Sequence, residues 1–421
     1  MKNLLLIIIV FFSFFFSLNL KPQSNFKVMF YNLFHYPSAP PTDRDEILKG
    51  ILNGYGPDLF LVCELEDQNG ANSILDISLN EINKNYAKTV YTTNQSSGNS
   101  FLSQLVYYNT DYFVLDNEVL INTDYRDINH YTFILKTTDY LTNPIYLEVF
   151  VTHLKALQGE SNEQLRLQSI TQFTNALNNL DPNSFVLFAG DFNVYTSAEP
   201  AYQKILNTNN SIVIKDVLNL NNTLQDWHEN IAWIDLFTQS TRTSNVEFNN
   251  DGAGGGFDDR FDFIFLSENL LGTSDIHYKS NTYQNYGNNN NSNCLNDRID
   301  SANCSGSLFD QNLRTNLYNM SDHLPVVLEL ETNETLSVTE EEVDKKLIQL
   351  PNGNLIENEL FIAFNEQLIN KNLKIYNITG QTIFSTKINA LKMNINISFL
   401  STAIYYISVD DYSEVIKLVK K

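Results

Sequence analysis

The chain has 421 residues, more than one hydrophobic core usually organises, so a large domain with a smaller companion is expected. Hydrophobic residues make up 43%, with Phe 28 and Tyr 22 among them, which supplies ample core and excludes a globally disordered chain. The 27 Lys and Arg against 49 Asp and Glu leave a net charge of −22, which excludes a protein that grips nucleic acid by charge alone.

Lys2 followed by the apolar run 4–16 and the polar stretch 21–25 predicts a signal peptide over residues 1–20, removed on export, and no permanent membrane span. From 25 to 331, strand-like runs alternate with helical segments, the pattern of an α/β sandwich. Strands are expected at 26–31, 59–63, 102–108, 131–135, 145–152, 185–189, 261–266 and 325–330, where β-branched and aromatic residues concentrate. A helix is expected at 43–53, stopped by Gly54, Gly56 and Pro57. Another is expected at 161–180, opened by a Ser161/Gln164 capping box and closed by Asp181-Pro182.

Residues 245–256, which include Asp251 and Gly254 to Gly256, and residues 281–312 read as long loops, either rimming a site or inserted at the surface. Cys294 and Cys304 flank the Asn-rich second loop and are expected to bridge, while Cys63 reads as a buried small hydrophobe. No His or second Cys stands at zinc-ligand spacing from any cysteine. Residues 332–346, with Glu340, Glu341 and Glu342, form an acidic linker to a small β-sandwich at 347–421, with strands at 373–377, 395–400, 403–409 and 415–419. That tail resembles the type IX secretion system C-terminal sorting domain, through Leu350-Pro351-Asn352, the run 373–381, Ala403-Ile404-Tyr405-Tyr406 and a lysine-ended last strand. The resemblance implies handling by the type IX machinery and a secreted or cell-surface location.

The polar residues that end apolar strands carry the chemistry, because a strand leaving a core holds such a group on a rigid support. They are Asn32, Glu64, His153, Asp191 with Asn193, Asp262, and Asp322-His323. Singly, each has a bland explanation as a cap, a turn residue or a structural histidine. Together they supply carboxylates for a hard cation, uncharged amides and two imidazoles, a set suited to metal-assisted attack on phosphorus.

In order, Phe30-Tyr31-Asn32, Cys63-Glu64, Val151-Thr152-His153, Gly190-Asp191-Phe192-Asn193, Arg260-Phe261-Asp262 and Ser321-Asp322-His323-Leu324-Pro325 resemble the endonuclease/exonuclease/phosphatase superfamily. The resemblance implies a four-layered α/β sandwich of two mixed sheets. It implies Asn32, Glu64 and Asp322 as ligands of Mg²⁺, with Mn²⁺ or Ca²⁺ as alternatives. Asp191 and Asn193 would position phosphate and attacking water, His323 would exchange the proton under the hold of Asp262, and His153 would bond the phosphate or leaving oxygen. Lys155, taken two residues along the strand from His153, is a tentative phosphate contact together with Asn193; Arg166 is read as a phosphate contact or a helix-surface charge.

The activity implied is an exported, monomeric phosphodiesterase, first an endonuclease hydrolysing DNA, with RNA as a further substrate. A sphingomyelinase-like or sugar-phosphate phosphatase, and a non-enzymatic surface binding module, are the alternatives. Two departures weigh against a deoxyribonuclease: Glu66 stands where that group carries an Arg, and His153 has no evident carboxylate partner. A membrane-facing aromatic hairpin could only come from residues 227–233, which read as core.

Overall fold

Alternation along the first strand sets the layers. Val28 and Phe30 face one way, into a core shared with Leu59, Leu61, Val149, Val151, Leu187 and Ala189; Met29 and Tyr31 face the other, toward Leu48, Ile51 and Leu52 of a helix. In the computed structural model the described residues are 24–421, without 83–84, 97–100, 221–225, 338–347, 351–353, 365–367, 411 and 413–414. The expected signal peptide, most of the acidic linker and Pro351-Asn352 lie outside them. Two compact units result, residues 1–338 and 339–421.

The first unit contains β1 (Ser24–Tyr36), α1 (Arg44–Tyr55), β2 (Leu59–Leu65), α2 (Gln68–Ser73), β3 (Tyr86–Lys88), β4 (Ser103–Asn109), β5 (Phe113–Ile121), β6 (Ile128–Leu135) and β7 (Ile145–His153). It continues with α3 (Glu160–Leu177), β8 (Phe185–Asp191), α4 (Pro200–Ile205), β9 (Ile214–Lys215), β10 (Asp262–Ser267), β11 (Ile276–Tyr278), β12 (Gln284–Asn285), α5 (Gln311–Met320) and β13 (Val326–Thr332). One sheet runs β11-β13-β1-β2-β4-β3, with β12 beside β13, and the other runs β5-β6-β7-β8-β10-β9. Each sheet is mixed: β1 with β2 and β7 with β8 are parallel, and the other pairings are antiparallel.

The apolar faces of the two sheets meet, and each outer face is covered by helix. Phe150 and Phe188 turn outward onto α3, where Phe173 stacks on Phe188 at 3.8 Å between ring centroids and meets Phe150 edge-on at 5.1 Å. The four-layered α/β sandwich expected from the motifs is the architecture found.

Several local expectations are corrected. The Ser161/Gln164 capping box is not formed; α3 starts at Glu160 after Gly159, whose φ of 109° suits glycine, and no side chain caps it. The stretch 281–312 is not all loop, since Asp310 caps α5 by accepting from Leu313 N. Strand β7 ends at His153, so its alternation does not reach Lys155. Cys294 and Cys304 are bridged, and Cys63 is buried and free. Trp227 is fully buried, donating from its indole to the Val194 carbonyl at 3.0 Å.

The second unit holds β14 (Ile348–Gln349), β15 (Leu355–Ile356), β16 (Glu359–Phe364), β17 (Asn372–Asn377), β18 (Thr382–Lys387), β19 (Lys392–Asn396), β20 (Ile404–Val409) and β21 (Val415–Lys420). They form sheets β14-β16-β19 and β15-β21-β20-β17-β18 around a core that includes Leu360, Leu373, Ile375, Ile397, Ile407 and Leu418. The strand expected at 395–400 lies earlier, at 392–396, and the expected strands miss β16 and β18.

Candidate active site

Register brings the strand-end residues together before any side chain is considered. In the first sheet Asn32 of β1 pairs with Cys63 of β2, next to Glu64. In the second, Asp191 of β8 pairs with His153 on one side and Asp262 on the other. Gly190 is required here, because a Cβ would lie 2.4 Å from the Thr152 carbonyl oxygen of the neighbouring strand. The parallel pairs thus end at one edge of the sandwich, and that edge carries the polar cluster.

The chain is bent at this edge. Phe34 and His35 have φ of 44° and Glu64 has 59°, the left-handed region that side chains avoid, where the β1–β2 and β2–β4 registers shift. The bends turn Glu64 out of the sheet, so that Oε1 accepts from Asn32 Nδ2 at 3.0 Å and Oε2 from His35 N at 3.0 Å. Ser321, ending α5, donates to the Asn32 carbonyl at 2.7 Å and accepts from His323 N at 3.1 Å, which ties the Asp322-His323 turn to β1.

Asn32, Glu64, His153, Asp191, Asp262, Asp322 and His323 accordingly converge. Glu64, His153 and Asp191 each offer a ligand atom within 4.8 Å of the others. His153 Nε2 lies 3.4 Å from Asp191 Oδ2 and 3.8 Å from Glu64 Oε1, whereas its Nδ1 is buried without a hydrogen-bond partner among the described residues. Asn32 turns its amide nitrogen to Glu64 and to Asp191 Oδ2 at 3.1 Å, and its oxygen to Phe34 N at 3.0 Å; a ligand role requires that amide to turn over. Asp322 Oδ2 accepts from Ala253 N at 2.6 Å, and its Oδ1 is buried without a hydrogen-bond partner among the described residues. Asn193, with φ of 51°, donates its backbone N–H to Asp191 Oδ1 at 3.1 Å.

His323 Nδ1 meets Asp262 Oδ2 at 2.7 Å, which leaves Nε2 facing the cluster. Burial alone would push the His323 imidazole down, but the Asp262 and Asp191 carboxylates outweigh it and hold it up at about 10. Burial pushes the Asp191 carboxyl up; His323 opposes the rise, and Asp262 and Glu64 add to it. These two shifts compete for one charge balance. We take His323 as the imidazolium, given its short contact to Asp262, and Asp191, whose Oδ2 lies 3.8 Å from His323 Nε2, as the carboxyl only partly compensated by it. Burial, with Arg126 and His323 adding, holds His153 well below its usual value and therefore neutral.

Residues without a sequence signal complete the surroundings. Gln239 brings its side-chain amide nitrogen to 2.6 Å from His323 Nε2, and Thr238 Oγ1 accepts from Phe261 N and Asp262 N. Only the fold places residues 238–239 between β10 and the His323 turn. Arg166 is not a surface charge: it is fully buried, binding Glu199 and the Lys155 and Leu157 carbonyls. Lys155 Nζ bonds the Ala156 carbonyl at 3.1 Å and sits over the Tyr125 ring at 5.3 Å. A cavity of about 680 Å³ opens over the cluster. Its described lining includes Glu64, Asp191, Glu229, Asp258, Asp259 and Asp322, and no Lys or Arg.

Residues 354–421 match the model of the secretion system C-terminal sorting domain. No curated protein matches the chain. Among solved structures it is similar to the human Nocturnin catalytic domain with bound sulfate anion, at 15% identity over 73% of this chain and 94% of that one, TM-score 0.46. It is also similar to D. rerio TDP2 complexed with single strand DNA product, at 14% identity over 73% and 99%, TM-score 0.47. A third is an endonuclease/exonuclease/phosphatase family protein from Bacteroides thetaiotaomicron, at 15% identity over 74% and 96%, TM-score 0.45. No helix among the described residues is long and apolar enough to cross a membrane.

Proposed function

We propose that the pocket is the active site of an exported, divalent-metal-dependent phosphodiester hydrolase. One observation carries this: buried Asp191, Glu64 and neutral His153 offer their ligand atoms within 4.8 Å of one another, beside the Asp262–His323 pair. The donor set fits a cation. The carboxylates there crowd one another, and Asp322 Oδ1 and Asp262 Oδ1 are buried without hydrogen-bond partners among the described residues, a costly arrangement that added positive charge relieves.

Glu64 and Asp191, with His153 Nε2, would hold the ion, and Asp322 stands by as a further carboxylate. A divalent cation there would offset charge on phosphoryl oxygens, stabilise the leaving oxygen and take up carboxylate charge that holds His323 protonated. His323 Nε2 then accepts the proton of the attacking water, a step typically worth about 10²–10⁴ in rate. Asp262 Oδ2 fixes the tautomer at Nδ1 and stabilises the imidazolium that results. Asn32 orients Glu64 and Asp191, and Asn193 N–H fixes the Asp191 carboxylate.

The motif order supports an endonuclease on DNA or RNA. The pocket's charge favours a less anionic diester, since a lining without Lys or Arg gains nothing from counterion release along a polyphosphate backbone. Of the segment 227–233 read as core, only Trp227 is buried; Glu229, Ile231 and Ala232 are exposed and Trp233 is half-buried, so burial of Trp227 alone weighs against the aromatic hairpin considered for lipid surfaces. Export is supported by the sorting-domain match.

The purified full chain should be given bis(p-nitrophenyl) phosphate, plasmid DNA, RNA and sphingomyelin, each with Mg²⁺ and with chelator. We expect turnover of the small diester with Mg²⁺ and none with chelator. Turnover of no substrate would favour the binding-module reading instead.

A further inference from the structure

A phosphoryl group entering a pocket needs hydrogen-bond donors for its nonbridging oxygens, and Lys or Arg is the usual source. The described lining has neither, so donors come from amides, imidazoles and the hydroxyls of Tyr195 and Ser240, the latter already donating to the Ala253 carbonyl at 3.0 Å. Asn32 Nδ2 is committed to Glu64 and Asp191 and lies 3.3 Å from His323 Nε2, and Asn193 Nδ2 points to the Leu154 carbonyl at 3.4 Å. Gln239 is half-buried, lines the cavity, and its amide nitrogen touches only His323 Nε2, at 2.6 Å, among the described residues.

The base of Gln239 is fixed while its end is free. Its N–H bonds the Asp259 carbonyl at 3.0 Å, and its carbonyl accepts from Asp258 N at 2.9 Å and Asp259 N at 2.8 Å. Next to it, the Thr238 carbonyl accepts from Leu324 N at 2.7 Å, and Thr241 N bonds the Asp322 carbonyl at 3.0 Å. The strip 238–241 is therefore stitched to both the Asp259–Asp262 segment and the Asp322–Leu324 turn. Only the side-chain torsions of Gln239 remain, and they sweep its amide across the reacting face of His323.

We propose that Gln239 is a phosphoryl-oxygen donor of this pocket: its side-chain amide rests on His323 Nε2 and passes to a nonbridging oxygen of the bound phosphate group, freeing Nε2 to face the attacking water. No covalent bond is made or broken in this exchange; with His323 neutral and Nε2 unprotonated, as with a divalent cation bound, one hydrogen bond from the Gln239 amide replaces another. The inference rests on the phosphodiesterase reading and names a substrate contact within it.

The test uses the full chain with Mg²⁺, and compares wild type with Gln239→Ala and Gln239→Glu. Calorimetric binding of inorganic phosphate and the KM and kcat for bis(p-nitrophenyl) phosphate are measured, with the melting temperature as a control on folding. We expect phosphate affinity to fall about tenfold in Gln239→Ala, the loss of one hydrogen bond to a charged group. It should fall further in Gln239→Glu, which keeps the length but presents an anion, and KM should rise in the same order. A role confined to holding the backbone would leave the two variants alike. Unchanged phosphate affinity in both, or a Glu variant as good as wild type, overturns the proposal. If wild type binds phosphate but turns over no diester, the hydrolase reading fails while the Gln239 contact is still decided by the variants' affinities.

Discussion

His323 is the side chain on which turnover should depend most. Removing its imidazole takes away the proton acceptor and leaves the Glu64, His153 and Asp191 group in place, so His323→Ala should lower kcat by about 10²–10⁴. Mg²⁺ binding, read by calorimetry, should persist. Glu64→Gln should instead raise the Mg²⁺ concentration needed for half-maximal turnover before it lowers maximal turnover; equal metal dependence in the two proteins would remove Glu64 from the ligand set. The pH dependence of the stripped protein has a definite sign. His323 is held above and Asp191 pushed above their usual values, so both favour the folded state while protonated. That stability is complete below the unfolded values and is lost as pH rises through the folded ones, to about 10 for His323. Thermal melts in chelator should therefore fall between neutral pH and pH ~10, and Mg²⁺ should raise the melting temperature more at the alkaline end. A flat profile in chelator would contradict this electrostatic picture.

At the level of elements, the site is a product of register. A methyl group at Gly190 would meet Thr152 of β7, so Gly190→Ala should cost about 1–3 kcal/mol of stability. It should also lower turnover by shifting Asp191 against His153, measured by denaturant unfolding beside the diester assay. Phe173→Ala, which removes the ring between Phe150 and Phe188, should cost about 3–5 kcal/mol with far less effect on the Mg²⁺ requirement. The same register explains what could be read in advance. Apolar strands running into Asn32, Glu64, His153 and Asp191, and one that follows Asp322-His323, announce themselves, because a buried strand is a continuous run and its polar flank stands out. Gln239 has no such signal, lying in an irregular strip whose place is set by backbone bonds to two distant segments. Arg166 misled for a related reason: it sits on an amphipathic helix, but the carbonyls that bury it belong to the loop after β7. β5 escapes the sequence reading because Asp116, Asn117 and Glu118, consecutive and all exposed, break its apolar pattern, and α5 because its polar run follows an Asn-rich loop.

For the molecule as a whole, charge and division of labour are the deciding features. A net charge of −22 and a cavity lined by carboxylates oppose a nucleic acid backbone. Any cleavage of DNA should accordingly quicken or hold steady as salt rises from low to moderate concentration, where a protein gripping phosphates through Lys and Arg would slow steeply. The sorting-domain match covers residues 354–421, outside the unit that carries the pocket. A chain ending at 338 should retain diester turnover in vitro and fail to reach the cell exterior, judged by activity in washed cells and medium.

The central claim is that Glu64, Asp191 and His153 hold a divalent cation beside His323. Anomalous diffraction from crystals of the full chain grown with Mn²⁺ tests it most directly. We expect a peak bounded by Glu64, Asp191 and His153, within reach of a water facing His323 Nε2. Density showing these side chains bonded only to one another, with Mn²⁺ absent while turnover persists in chelator, would contradict it.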